Sequence, residues 1–316
     1  MDRVKRVLII LLNVNLSVSF AQESSSFINK SNIDLTHEKV STSLFKLTNK
    51  IDSFFGSERP LEEKNGSNIL LKYTTTSREF SEATTEPDIK IRVRFRQLEK
   101  KLNFKFESIY DESDKTLKNS QETESVKTDV PEESALYRAS IGFMKEQKKF
   151  WRISVDTGIK VQSPLNPFAR IRGRRSFYFN ELELRLTDKV MIDEANGLYN
   201  YSDINFYHKL RGKFSFSYTN KFVWKNDLNE LVTVHGPSVF QEIDDKQGIS
   251  YNIRTRFINK PTYAITGHEV FSIYRRNLYK NWLFFQLTPG LSFFADQDYS
   301  KIGFVTSQLE VNFGDF

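Results

Sequence analysis

Apolar and polar residues alternate with a period of two along most of this chain, from Asn68 to its carboxyl end. In residues 89–96, for example, the odd positions are Ile, Ile, Val and Phe, whereas every even position is Lys or Arg. Successive side chains of a β-strand point to opposite faces, so this alternation predicts strands with one apolar and one polar face. Such strands must bury their apolar faces in a second layer or expose them to lipid.

The alternating pattern divides into about fourteen segments, which are joined by mostly short connections. Most segments contain the roughly 9–11 residues that a tilted strand needs to cross a bilayer. The longest connection, residues 111–135, is rich in acidic residues. The predicted strands are 68–78, 87–97, 100–110, 136–145, 149–161, 165–175, 178–191, 196–209, 211–225, 229–240, 248–258, 262–275, 280–294 and 300–314.

Two all-β architectures fit this pattern: a closed antiparallel transmembrane β-barrel of about 14 strands (12–14) and an exported β-sandwich. The chain contains 28 Phe, 13 Tyr and 3 Trp, yet it is polar on average. A membrane barrel places aromatic residues in girdles at its strand ends, and its two alternating faces cancel in any average of hydropathy. A sandwich rarely exposes so many aromatic residues at those positions. We therefore expect the barrel.

The amino-terminal residues predict export and a periplasmic segment. Three basic residues precede the apolar run 7–12, and Ser19 and Ala21 supply small residues where a signal peptidase cleaves. We interpret residues 1–21 as a removed signal peptide and residues 22–67 as a periplasmic segment ahead of a barrel covering 68–316. The expected location is the outer membrane of a Gram-negative bacterium.

Within the periplasmic segment, apolar residues from Val40 to Phe55 recur at the spacing of one helical face. This spacing predicts a short amphipathic periplasmic helix over about 36–55. One interpretation is a plug or a docking helix for the barrel. The simpler interpretation is a helix that packs on the barrel rim or folds alone.

The last segment ends in an alternating apolar set that closes on an aromatic residue. It resembles the carboxy-terminal assembly signal of Gram-negative outer-membrane barrels, with the apolar set in register with Phe313 rather than with the terminal Phe316. The resemblance implies outer-membrane lipids, the barrel-assembly machinery and periplasmic chaperones as partners. Its residues are Val305, Leu309, Val311, Phe313 and Phe316.

Two internal stretches are similar to those of a family of uncharacterised outer-membrane proteins. They are Pro-Phe-Ala-Arg-Ile-Arg-Gly-Arg-Arg at 167–175 and Trp-Leu-Phe-Phe-Gln-Leu-Thr-Pro-Gly-Leu at 282–291. The resemblance covers roughly residues 68–316. It implies a fold and a compartment but no activity.

Assigning the polar face of each strand to the lumen predicts an interior with an excess of basic residues. The predicted lumen-lining basic residues are Lys90, Arg92, Arg94, Arg96, Arg152, Arg170, Arg172, Arg174, Arg254 and Arg256. The predicted lumen-lining acidic residues are Glu107, Asp156, Glu181, Glu183, Asp203 and Glu310. Rings of Arg and Lys favour anions, so one hypothesis is a passive, porin-like channel for small anionic solutes. The alternative is a structural or assembly barrel with a packed, salt-bridged lumen.

Other chemistries find little support in the sequence, and we predict no enzyme, no cofactor and no metal site. The chain has no Cys, and its acidic connection lacks the spacing of a dedicated calcium loop. The least favoured function is a rim hydrolase, because the best candidate, His235 with Ser238 nearby, does not resemble the motif of outer-membrane phospholipases. We expect no nucleic-acid binding, because the formal net charge is only +6 and the basic residues lie on predicted strand faces of a closed lumen.

Overall fold

The structure is a computed structural model. It describes residues 68–94, 102–108, 137–148, 151–161, 163–194, 197–225, 229–280 and 282–314. The predicted signal peptide, the predicted helix over 36–55 and the connection 111–135 lie outside the described residues. Among the described residues, no helix is long and apolar enough to span a membrane.

The described part of the chain forms fourteen β-strands and one short 3₁₀ turn, Ala295–Gln297. The strands are β1 (Asn68–Arg78), β2 (Thr84–Arg94), β3 (Leu102–Ser108), β4 (Tyr137–Lys148), β5 (Trp151–Val161), β6 (Asn166–Phe179), β7 (Leu182–Asp193), β8 (Gly197–Lys209), β9 (Phe214–Lys225), β10 (Glu230–Asp244), β11 (Gln247–Ile258), β12 (Ala264–Tyr279), β13 (Leu283–Phe294) and β14 (Lys301–Gly314).

Every strand pairs antiparallel with its neighbours in the sequence, and β1 pairs with β14 to close the sheet. The closing pair runs in continuous register from Asn68 opposite Gly314 to Arg78 opposite Phe304. The fold is therefore a closed antiparallel β-barrel of 14 strands, which confirms the expected architecture. The sandwich alternative was wrong, because a closed sheet leaves no second layer to bury its apolar face.

Several strands extend beyond the predicted boundaries because hairpin pairing continues past the apolar alternation. β2 begins at Thr84 rather than at residue 87, and its first residues pair with the threonines of β1. There Thr75 and Thr85 share a hydrogen bond of 3.2 Å between their hydroxyl oxygens. β12 likewise continues to Tyr279, which pairs with Leu283 beyond the predicted end at residue 275.

Burial alternates along the strands and defines two faces of the wall. In β6, Asn166, Phe168 and Arg170 are buried, whereas the residues between them are exposed. We call the buried set the interior face and the exposed set the exterior face. The large exposed side chains of the exterior face are mostly aliphatic or aromatic. Polar and charged residues thus concentrate on the interior face, where the candidate site lies.

Candidate functional site

The most connected group of interior charges lies on four neighbouring strands, β3 to β6. Arg138 Nε lies 2.7 Å from Glu107 Oε1, and Arg170 Nη2 lies 3.3 Å from the same oxygen. Arg170 also reaches Asp156, with 3.2 Å between Nη2 and Oδ2, and Lys105 Nζ lies 2.7 Å from Asp156 Oδ1. Three cations therefore share two carboxylates in this cluster, which we call the β3–β6 charge cluster.

The register of the sheet explains why the β3–β6 charge cluster forms. Glu107 on β3 lies directly opposite Arg138 on β4, and Asp156 on β5 lies directly opposite Arg170 on β6. Opposite charges at directly paired positions stabilise a sheet, and these interior positions hold them away from solvent. Asp156 is almost fully buried, so its two cationic partners also keep its charge from being buried alone.

A second group surrounds Glu310 on β14. Arg275 donates two hydrogen bonds to its carboxylate, 3.0 Å from Nη1 to Oε2 and 2.8 Å from Nη2 to Oε1. Asn312 Nδ2 donates to Oε1 at 2.9 Å, and Lys72 Nζ lies 3.8 Å from Oε2. This bidentate pair is the strongest geometry that an Arg and a carboxylate adopt.

Two further buried ion pairs lie on the interior face of β5 to β7. Lys160 Nζ lies 2.9 Å from Asp193 Oδ2. Arg185 Nη2 lies 3.0 Å from Glu183 Oε1, which also accepts a hydrogen bond of 2.8 Å from Ser176 Oγ. Both pairs are nearly inaccessible to solvent, so they contribute to the filling of the barrel.

Most of the predicted basic residues lie in strands at interior positions. Arg170 and Arg256 are buried there, and the other residues with described side chains are half-buried: Lys90, Arg92, Arg152, Arg172, Arg174 and Arg254. Arg94 ends β2, with only its backbone described, and Arg96 lies outside the described residues. Whether these residues line a water-filled lumen stays a prediction.

Among the predicted acidic residues, Glu107, Asp156, Glu183, Asp203 and Glu310 occupy interior positions. Glu181 does not. It lies in the exposed two-residue turn between β6 and β7, where its carbonyl oxygen is 3.1 Å from Nδ1 of His208. The predicted assignment of Glu181 to the lumen was wrong, because the alternation of the strands does not continue through the turn and a turn residue belongs to neither face.

The sequence interpretation also missed residues that form interior ion pairs. Lys105 and Arg138 lie on the polar faces of alternating segments, so the apolar alternation of Phe104 with Phe106 and of Tyr137 with Ala139 and Ile141 is the signal that could have found them. Arg275 stands beside Arg276, and two adjacent basic residues hide the alternation there. The missed ion-pair residues are Lys72, Lys105, Arg138, Lys160, Arg185, Asp193 and Arg275.

The histidine and serine that the hydrolase hypothesis combined do not meet. His235 lies at an exterior position of β10, where its Nδ1 is 2.9 Å from Asn220 Oδ1. Ser238 is buried on the interior face, and its hydroxyl donates a hydrogen bond of 2.7 Å to Asn252. In a strand, residues three apart face opposite sides, so the pair cannot form a nucleophile and its base. The described residues also contain no group of three or more metal-ligating side chains.

Neither known protein-family models nor curated protein sequences match this chain. Among solved structures it is similar to OmpT, an outer membrane protein of Vibrio cholerae, at 9% identity and a TM-score of 0.45, over 80% of this chain and 99% of OmpT. It is also similar to OccK11 of Pseudomonas aeruginosa (10% identity, TM-score 0.45, 80% and 97% of the chains). The outer membrane channel DcaP of Acinetobacter baumannii gives 6% identity and a TM-score of 0.43, over 78% and 96%. These similarities concern the fold alone.

Proposed function

We propose that this chain is an outer-membrane β-barrel that acts as a passive channel with a basic lumen for small anionic solutes. The contrast between the two faces of its wall supports the membrane location. Ile141 and Ile171 on the exterior face are 57% and 56% exposed, although both lie within long strands. Apolar side chains exposed across a whole wall are stable against lipid rather than against water.

The observation that carries the anion preference is the excess of basic residues on the interior face, where eight of the predicted basic residues and five of the predicted acidic residues lie. Arg92, Arg172 and Arg174 are half-buried there rather than buried. A positively charged pore wall attracts anions and repels cations.

Basic side chains that lie opposite one another on neighbouring strands support the same proposal. Their register concentrates positive charge on one part of the interior face. The pairs in direct register are Arg92 with Lys105, Arg152 with Arg174, and Arg172 with Lys189.

The second candidate is a structural or assembly barrel with a packed lumen. The pair of Arg275 with Glu310 favours it, because these residues are only 1% and 3% exposed. Barrel width does not decide between the two functions. Side chains fill the interior of a barrel of about eight strands, whereas a barrel of about sixteen to eighteen strands encloses a water channel. A barrel of fourteen strands falls between these limits.

Conductance of the refolded mature chain in a planar bilayer tests the proposal. We expect single-channel steps and a reversal potential in a salt gradient that indicates anion preference. The double variant Arg172→Gln with Arg174→Gln should move the reversal potential toward cation preference. The matched control is Arg175→Gln, because Arg175 lies in the same strand on the exposed exterior face and should leave selectivity unchanged.

Two results would contradict the channel. A folded, membrane-inserted chain that gives no conductance would favour the packed structural barrel. If the protein conducts but the double variant and the control have the same selectivity, Arg172 and Arg174 do not determine the anion preference. That result would contradict the basic lumen.

Export and assembly belong to the same proposal. We propose cleavage after residue 21 and reading of β14 by the barrel-assembly machinery with periplasmic chaperones. Val305, Leu309 and Phe313 support this role because all three are exposed on the exterior face of the strand that closes the barrel. Replacing Phe313 by Ala should reduce assembly in cells more than refolding of the purified chain.

A further inference from the structure

A bulge in β12 lies opposite a buried arginine of β11 on the interior face. Arg256 is in register with Gly267, and the next pair is Phe257 with Ile265, so Thr266 is the extra residue. In a bulge of this kind two residues oppose one on the neighbouring strand, and bulges are frequent beside active sites. Thr266 and Gly267 therefore both lie opposite Arg256. We call these three residues the β11–β12 bulge site.

Arg256 is buried next to apolar side chains, and only 7% of it is exposed. Its register partner on β10 is Val234, which is itself buried. On the other side, Gly267 has no side chain, and Phe294 of β13 occupies that space. A Cβ atom on Gly267 would lie 2.6 Å from Phe294 Cδ1. A cation in such surroundings is unfavourable unless an anion or hydrogen-bond acceptors meet it.

The described part of the chain does not supply that partner. Nε and Nη1 of Arg256 and Oγ1 of Thr266 are buried, and none of them has a hydrogen-bond partner among the described residues. Glu269 lies opposite Arg254 and therefore diagonal to Arg256. It attracts Arg256 through space without a hydrogen bond, whereas Arg78 repels Arg256. Buried donors without acceptors thus meet in one place on the interior face.

We propose that the β11–β12 bulge site binds a small oxyanion, either a carboxylate or a phosphate group. The N–H groups of Arg256 and the hydroxyl of Thr266 can donate hydrogen bonds, and these anions offer several acceptor oxygens. The planar guanidinium matches the geometry of carboxylates and phosphates, so the site should prefer them to chloride. Arg256 lies two residues before the end of β11, so the anion reaches it from the nearer mouth of the barrel.

Glu269 gives this proposal a test with a definite sign. Its carboxylate repels an oxyanion at Arg256 and keeps binding weak, so Glu269→Gln should strengthen binding. Weak binding suits a channel, because the solute must also leave. The alternative is that Glu269 is the counterion of Arg256, and its removal would then leave a buried charge uncompensated and destabilise the barrel. The site rests on the proposed function, because it specifies which anions the channel takes.

Titration of the refolded chain in detergent micelles tests the site without any measurement of conductance. Sodium acetate, sodium phosphate and sodium chloride are added at equal ionic strength, and the broadening of an NMR signal of each anion reports its binding. We expect saturable binding of acetate, of phosphate or of both, with chloride at least about fivefold weaker. Binding of acetate alone identifies a carboxylate site, and binding of phosphate alone identifies a phosphate site. Chloride that binds as tightly as both oxyanions would overturn the proposal.

Variants assign the binding to Arg256. Arg256→Gln should weaken it about tenfold or more, because hydrogen bonds from a charged donor are strong. Thr266→Val, which keeps every charge, should weaken it severalfold, and Glu269→Gln should strengthen it severalfold. The matched control is Arg276→Gln, which should leave binding unchanged because Arg276 lies on the exposed exterior face of the same strand as the bulge.

Urea unfolding of each variant scores folding separately from binding. If Arg256→Gln does not fold, Thr266→Val and Glu269→Gln decide. Folded Arg256→Gln that binds as tightly as Arg276→Gln, or Glu269→Gln that binds more weakly and unfolds at lower urea, would overturn the site. A barrel that binds oxyanions at Arg256 without conductance retains the site and loses the channel, and a conducting barrel without this binding loses only the site.

Discussion

Arg275 on β12 crosses the neighbouring strand to reach Glu310 on β14. Its guanidinium carbon lies 4.5 Å from the centre of the Phe284 ring on β13, and two of its nitrogens donate to the carboxylate. Phe284 lies directly opposite Glu310 in the register of β13 and β14. One arginine thus connects three strands beside the seam where β14 meets β1.

Replacement of Arg275 by Met should destabilise the barrel strongly. It would leave Glu310 buried with only Lys72 at 3.8 Å and neutral amide partners. Breaking a buried ion pair by removing one partner costs about 3–5 kcal/mol. We expect a loss at the lower end of that range, measured by urea unfolding in lipid vesicles.

The matched control for Arg275 is its neighbour Arg276, which is exposed on the exterior face. Arg276→Met should change the free energy of unfolding by less than about 0.5 kcal/mol. The double variant Arg275→Met with Glu310→Gln should recover part of the loss, because it removes the buried charge. Equal losses for Arg275→Met and Arg276→Met would contradict the structural role of the pair.

Replacement of Glu107 by Gln should increase the anion preference of the channel. Glu107 holds Arg138 and Arg170, and its neutralisation would leave the β3–β6 charge cluster with three cations and one carboxylate. The reversal potential in a salt gradient should therefore move opposite to its shift in the Arg172→Gln and Arg174→Gln double variant. An unchanged reversal potential would show that Glu107 does not face the conducting path, and a shift toward cation preference would contradict the prediction.

The fold could be predicted from the sequence because the alternation of single residues reports directly on the two faces of a strand. β1 has the bounds predicted from the alternation, and β14 differs from its prediction by one residue. The polar ends of β2 and β12 could not be predicted in the same way, because the backbone of a paired strand holds them rather than an apolar pattern.

The partners within the candidate site could not be predicted, because they depend on strand register and side-chain reach. Glu107 and Arg138 are opposite only because β3 and β4 pair with one particular offset across a long connection. Arg275 and Glu310 lie on strands that are not even neighbours. The alternation assigns such residues to a face but does not say which cation meets which carboxylate.

Replacement of Gly158 by Ala should impair folding of the β4–β5 hairpin. A methyl group at this interior position would overlap the carbonyl oxygen of Ala139 and lie 2.7 Å from the Cα of Ser140. Both are backbone atoms of the neighbouring strand, so no side chain can move aside. We expect a loss of about 1–3 kcal/mol, read from urea unfolding and from the yield of refolded barrel. Gly173→Ala, whose methyl group would meet nothing within 4 Å, should unfold at the same urea concentration as the native chain.

Replacement of Arg254 by Gln should lower stability while changing selectivity less than the Arg172 and Arg174 variants do. The pairing of β10 with β11 skips Gly236 and Pro237, and proline has no N–H to donate. Arg254 Nη1 donates to the carbonyl oxygens of these two residues at 3.3 and 3.2 Å. Its Nη2 donates to Ser238 Oγ at 3.0 Å. The guanidinium therefore forms hydrogen bonds with β10 where the pairing of the two strands is interrupted, and it also adds positive charge to the interior face.

Hydrogen bonds from a charged donor contribute about 1.5–3 kcal/mol, so Arg254→Gln should lose about that much in urea unfolding. Arg254→Lys serves as the control for charge, because it keeps the positive charge but cannot donate to all these oxygens with one planar group. If Arg254 stabilises the unpaired stretch at Gly236 and Pro237, both variants should unfold at a lower urea concentration than the native chain. Only Arg254→Gln should shift the reversal potential, and only by a small amount. A native urea midpoint for Arg254→Lys would mean that charge alone is required at this position.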